Sequence, residues 1–257
     1  ILSGLVGSEM CIRDRTIAYW EDWVRGLNIP FDWQEAVIRA AITLKLCSYE
    51  DTGAIVAALT TSIPEAPGTE RNWDYRFCWI RDAFHTVGAL NRLSATRTME
   101  DFVRFIVNTV LREQGGPVAP LYPIAPGFDM SEVTAAALPG YGGQGPVRIG
   151  NAAASQEQND SYGSIVLTAT QMFADARLPR AGSVGLYQHL EPTGRTALAL
   201  ACEPDAGLWE FRGRRRVHTH SAAMCWAAVD RLAMIARRVG LEDDAAEWAS
   251  QADRLQL

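Results

Sequence analysis

Two short runs carry the residues most able to do chemistry. In the segment from Glu70 to Phe84, ERNWDYRFCWIRDAF, the aromatics Trp73, Tyr75, Phe77 and Trp79 alternate with Asp74 and Arg76 and lead into Arg81 and Asp82. Flat aromatic faces suit the apolar faces of sugar rings, and a guanidinium beside a carboxylate supplies the donor and acceptor that vicinal hydroxyls demand. The same residues also read as a helix start with an internal ion pair, because an Asp in a first turn is favoured by the helix dipole. In the second run, EPDAGLWEFRG from Glu203 to Gly213, Glu210 follows Trp209 between two glycines. A carboxyl packed against an indole is poorly solvated and keeps its proton to higher pH, as a proton donor near neutrality must. Glu210 is the best acid candidate; the plainer alternative is a solvated loop glutamate.

Other reactive residue types offer less. His218 and His220 could reach one metal only from a strand, and no third ligand is spaced to join them, so no metal site is expected. The five cysteines, Cys11, Cys47, Cys78, Cys202 and Cys225, are odd in number and lack C-x-x-C spacing, which reads as reduced thiols in a cytoplasmic protein. Arg212, Arg214, Arg215 and Arg216 cluster on a Gly-containing stretch and read as a solvated turn. With a net charge of −6 mixed along the chain, no basic field exists to hold nucleic acid. The apolar stretch at the start falls well short of the roughly 18 residues a membrane helix needs.

The elements that must position these residues are mainly helical. Ala36, Val37, Ala40, Ala41, Leu44 and Cys47 recur at three-to-four spacing, so a helix over Trp33–Cys47 should bury one stripe. A second stripe runs through Phe102, Phe105, Ile106, Thr109 and Val110, with Thr98 and Asp101 suited to its start. Further helices are expected through Tyr162–Phe173 and Ala222–Ala236, the latter ended by Gly240, with a last one from about Glu242. Thr60–Tyr75, Gly115–Ala153 and Leu178–Gly213 read as polar or Gly/Pro-rich connections. Helix pairs joined by alternately short and long loops can bury their stripes by stacking in a ring, which gathers the long loops at one mouth. Residues 1–15, ILSGLVGSEMCIRDR, resemble a translated adapter rather than a natural leader, and one domain is expected over residues 16–257.

RNWDYRFCWIRDA, PVRIGNAAASQEQNDSYG and EPDAGLWEFRG, in that order, resemble the catalytic domain of bacterial glycoside hydrolase family 15, the glucoamylase-like and trehalase-like enzymes. TLKLCSYEDTGAIVAALTTSIPE, upstream, matches the same pattern. The resemblance implies an all-α fold, an incomplete (α/α)6 six-hairpin toroid with a crater at its loop-bearing mouth. It also implies that Arg81 and Asp82 grip the terminal glucose, that Tyr75 and Trp79 flank it, and that Trp209 precedes the general acid Glu210. Arg148, in YGGQGPVRIGN near Gln156 and Asp160, is either a substrate contact or loop scaffolding.

By the same resemblance the reaction is a single inverting displacement that requires no metal or organic cofactor and releases glucose from non-reducing ends of α-glucans or maltooligosaccharides. An α,α-trehalase is the alternative, and a non-catalytic carbohydrate-binding toroid is the reading from another class. Phe211 departs from fungal relatives, which carry a second acid there, and the β-sandwich usual in bacterial members is not in this sequence. The family's catalytic base lies further downstream than Leu257. The chain by itself is therefore expected to be inactive, and marginally folded because an open ring leaves apolar helix faces uncovered.

Overall fold

The computed structural model describes residues 2–111 and 117–255, with side chains from residue 11 onward. Helix α1 (Leu2–Arg25) is largely exposed where its side chains are described, and it runs through the segment set aside above. Helix α2 (Gln34–Leu46) falls where the spacing put it, yet it buries only Ala41 completely, with Val37, Leu44 and Cys47 half-buried.

The next six helices form three hairpins. They are α3 (Ile80–Arg92) with α4 (Thr96–Phe105), α5 (Asp160–Ala174) with α6 (Val184–Leu200), and α7 (Thr219–Arg238) with α8 (Glu242–Leu255). Helix α5 packs against α3 on one side and α7 on the other, while α4, α6 and α8 lie behind this row. Burial follows position. Front-row α7 is buried on several sides, through Ala222, Cys225, Ala228, Val229, Leu232, Ile235 and Ala236. Rear-row α8 buries the single stripe Ala245, Trp248 and Ala252. The α5 and α7 backbones approach closely at Gly163, where an added Cβ would stand 2.3 Å from the Met224 carbonyl oxygen. That contact explains a glycine inside a helix, where it costs about 1 kcal/mol relative to alanine.

Two expectations need correction. Leu178–Gly213 is not one long connection, because α6 occupies Val184–Leu200. Pro192 and two glycines hide the helix from propensity, but Tyr187, Leu190, Thr193, Gly194 and Ala197 bury a continuous stripe that outweighs them. Thr98 and Asp101 do not start a helix either: α4 begins at Thr96, Thr98 is buried, and Asp101 pairs with Arg104 and Arg97. The stripe beyond Phe105 continues as a π-helical turn, Ile106–Val110.

Short strands fill the connections that lead into the helices. β1 (Thr61–Pro64) pairs with β2 (Asn72–Asp74), β3 (Cys78–Trp79) with β4 (Leu121–Tyr122), and β5 (Val133–Thr134) with β6 (Arg148–Ile149), all antiparallel. β6 is tied to β1 through the hydroxyls of Thr61 and Ser62, which bond the Arg148 main chain. No described helix is long and apolar enough to cross a membrane.

Candidate active site

Three front-row helices open toward one pocket. Trp79, Arg81 and Asp82 sit at the start of α3, Gln158 and Asp160 at the start of α5, and His218 and His220 at the start of α7. The loop carrying Glu210 immediately precedes α7. A helix N-terminus presents unpaired N–H groups and partial positive charge, so three such ends suit a site rich in carboxyl groups. Pairing of β3 with β4, extended by the Ile80 amide bonding the Pro120 carbonyl, fixes Trp79 where the strand becomes helix.

Tyr75, Trp79, Arg81, Asp82, Arg148, Trp209 and Glu210 all line this pocket, of about 880 Å³. The structure brings every one of the sequence-expected site residues together. Their pairings differ from expectation in three ways.

First, the indole that meets Glu210 is not that of its neighbour. Trp209 is 72% exposed, whereas Trp79, 3% exposed, donates its Nε1–H to Glu210 Oε1 at 2.6 Å. Glu210 has a left-handed backbone, φ 54°, which turns its side chain out of register with Trp209. Such a conformation costs about 1–3 kcal/mol in a non-glycine residue and persists only where the surroundings impose it. Here a bridge between Asp205 and Arg216 closes the loop. Gly207, φ 66°, lies against His218, whose ring would be 2.6 Å from any added Cβ. Gln156 Nε2 holds the Glu210 carbonyl at 3.2 Å.

Second, Arg81 spends most of its fork on protein. Nη1 donates to Gln158 Oε1 (2.9 Å) and Asp160 Oδ2 (3.0 Å), and Nη2 to Glu210 Oε1 (3.2 Å). Burial works against its charge, but the carboxylates of Asp160, Glu210 and Asp82 outweigh it and hold the guanidinium protonated. Gln158 Nε2 also reaches Glu210 Oε1, at 3.2 Å. Oε1 therefore accepts from Trp79, Arg81 and Gln158, while Oε2 receives no hydrogen bond from the described residues. Asp82 opens onto pocket solvent within a recess of protein, and that recess pushes its carboxyl above the usual range, with Arg81 opposing.

Third, Arg148 and Arg212 form a wall. Arg148 Nη1 bonds the carbonyls of Glu70 and Asn72, and its Nε faces Glu132 Oε1 at 3.3 Å. Arg212, read as part of a solvated turn, grips both oxygens of Glu132, at 3.0 and 2.7 Å. The two guanidiniums lie 4.6 and 4.3 Å from the centre of the Trp73 ring. Arg212 lowers the Glu132 carboxyl below its ordinary range, and burial only partly opposes this. Of the two readings of Arg148, these contacts favour scaffolding. The rest of the basic cluster is also occupied: Arg215 pairs with Glu157, Arg214 lies over Phe211, and the Arg216 backbone bridges Asp205.

On the opposite side, Tyr75 donates its phenolic proton to Glu65 Oε1 at 2.9 Å. Burial, then this bond, pushes the phenol well above its ordinary pKa. His218 and His220 do not converge, since each faces a different buried carboxylate, Asp205 at 4.0 Å and Asp160 at 3.5 Å. Burial raises the Cys78 and Cys225 thiols to about 12, which leaves both inert.

The profile of Glycosyl hydrolases family 15 matches residues 32–257. Among curated proteins, the trehalase of Mycobacterium tuberculosis is 36% identical over 244 residues, covering 94% of this chain and 35% of that protein. The trehalase of Thermoplasma volcanium is 35% identical over 243 residues, covering 93% of this chain and 38% of its own length. The chain thus spans little more than a third of either. A bacterial glucoamylase solved in complex with acarbose superposes with a TM-score of 0.66 at 16% identity, over 95% of this chain and 31% of that one. For the glucoamylase of Saccharomycopsis fibuligera the TM-score is 0.53 at 13% identity, over 85% and 46%. At these identities the likeness is one of fold, the (α/α)6 toroid, to which the three hairpins correspond.

Proposed function

The chain belongs to glycosyl hydrolase family 15, and from that premise we propose that the protein hydrolyses α,α-trehalose with inversion, Glu210 serving as the acid. The observation that carries the acid assignment is the one-sided bonding of its carboxyl. Oε1 is anchored by Trp79, Arg81 and Gln158, which leaves Oε2, in a side chain that remains 26% exposed at the pocket, as the oxygen open to substrate. In the proposed step Oε2 delivers a proton to the glycosidic oxygen as the C1–O bond breaks. A second carboxylate, roughly 6.5–9.5 Å from the first, takes a proton from the water that attacks C1 on the opposite face. By the family pattern, that second carboxylate belongs to the region of the longer relatives that this chain does not cover.

Asp82, aided by Trp79 and Tyr75, accepts from the hydroxyls of the ring being cleaved, while Arg81 chiefly orients Glu210. Trehalose is favoured over α-glucan by the curated relatives named trehalase, 29–36% identical, which reverses the order that the motifs alone suggested. Both substrates share the same terminal-glucose grip, so the Arg81–Asp82 region does not separate them.

Incubation of a protein that carries this chain together with the region supplying the second carboxylate, with trehalose and with maltose, followed by proton NMR of the first-formed anomers, tests the reading. Trehalose is expected to give β-glucose from the attacked ring and α-glucose from the leaving ring in equal amounts, with maltose turned over far more slowly. Preferential cleavage of maltose would return the α-glucan reading. Binding of glucose without turnover of either sugar would support a carbohydrate-binding role.

A further inference from the structure

We propose that Asp160 is a positioning residue that holds Arg81 away from a two-pronged pairing with Glu210 and so keeps Glu210 Oε2 free. The functional meaning rests on the acid role proposed for Glu210; the geometry does not. Asp160 is the first residue of α5, with no exposed surface. Its Oδ2 lies 3.0 Å from Arg81 Nη1 and 3.5 Å from His220 Nε2. Its Oδ1 and His220 Nε2 find no hydrogen-bond partner among the described residues. A carboxylate this deeply buried is tolerated only when paired, and among the described residues Arg81 is the cation hydrogen-bonded to it.

The guanidinium is planar, so fixing one terminal nitrogen fixes the other. Left to a single carboxylate, it prefers the parallel arrangement in which two N–H groups meet both oxygens. Arg81 instead divides, giving Nη1 to Asp160 and Gln158 and Nη2 to Glu210 Oε1. Competition between two carboxylates prevents the fork from closing on either. If the pull of Asp160 is removed, Arg81 swings toward Glu210, takes both oxygens, and disturbs the bond from Trp79 to Oε1. His220, from α7, stands 3.5 Å from the same Asp160 oxygen that Arg81 bonds, which joins all three front-row helices in one chain of contacts.

The test uses the side-chain indole N–H resonance of Trp79 in the full chain, identified by its loss in Trp79→Phe. Because Trp79 donates to Glu210 Oε1, the signal reports where that carboxyl stands without any ligand. In Asp160→Asn the resonance should move and its hydrogen exchange quicken by at least threefold, with the other indole signals unmoved. Asp160→Glu should bring it part of the way back. If Asp160→Asn does not fold, His220→Gln carries the same readout, with a smaller displacement. An unmoved Trp79 signal in a folded variant overturns the proposal. Should the NMR change occur while Glu210→Gln, in a protein that carries the second carboxylate, costs trehalose and α-glucosyl fluoride equally, the acid reading fails and the positioning role of Asp160 stands.

Discussion

A carboxyl that must give up a proton needs one oxygen held and the other free, and Glu210 has that asymmetry. In a protein that also carries the second carboxylate, Glu210→Gln should lower turnover of trehalose by about 10² or more and spare an α-glucosyl fluoride, whose leaving group needs no proton. Equal losses on both would take the acid role away from this residue. Asp82 gives a pH prediction with a definite sign. It binds hydroxyls as an acceptor only when ionised, and its folded-state pKa is raised by its recess. Glucose affinity measured by calorimetry should therefore fall as pH drops, beginning above the ordinary Asp value of about 3.9. Asp82→Asn should flatten that dependence. Six of the seven site residues were legible because aromatic, acidic and basic types crowd into two runs, and Arg148 only through the family motif, but the pairings between them were not. Adjacency of Trp209 and Glu210 suggested contact, and a single left-handed φ separated them. Gln158 and Glu132 gave no signal, because Gln158 meets Arg81 and Glu210, and Glu132 meets Arg212, across more than 50 residues of chain. Asp160 and Gln156 drew notice only through the family motif.

At the scale of elements, the site depends on how closely α5 and α7 approach. Gly163→Ala would press a methyl group onto the Met224 carbonyl, and backbone there cannot yield as a flexible side chain would. The cost should be about 1–3 kcal/mol. It should appear as a lowered urea midpoint with an unchanged slope, because the same surface is exposed on unfolding. A midpoint equal to that of the parent chain would mean that the helices part without penalty. Periodicity found α2, α5, α7 and α8, whose apolar spacing no proline interrupts, and missed α6, where Pro192 interrupts a stripe that tertiary burial sustains. Helix α3 was read only as a possible start at Asp82, since the aromatic run before it drew the segment toward a loop.

For the molecule as a whole, the three hairpins form an arc whose front-row helices all begin at the pocket. We propose that residues 1–15 lie outside the folding unit. Their deletion should leave the melting temperature within about 2 °C, as expected when few buried contacts are lost. A larger fall would make α1 part of the core. The orientation of the arc has a practical side as well. Helices rising about 1.5 Å per residue carry the 20-residue α7 roughly 30 Å from the pocket before it ends. The turns at its far end, Val239–Leu241 between α7 and α8 and Leu93–Ala95 between α3 and α4, are remote from every residue assigned a role. A fluorophore, an affinity tag or a surface tether placed there would leave the mouth unobstructed. Changes that alter what the pocket accepts would be confined to the loops at the other pole, so attachment and specificity become separately adjustable properties of one chain.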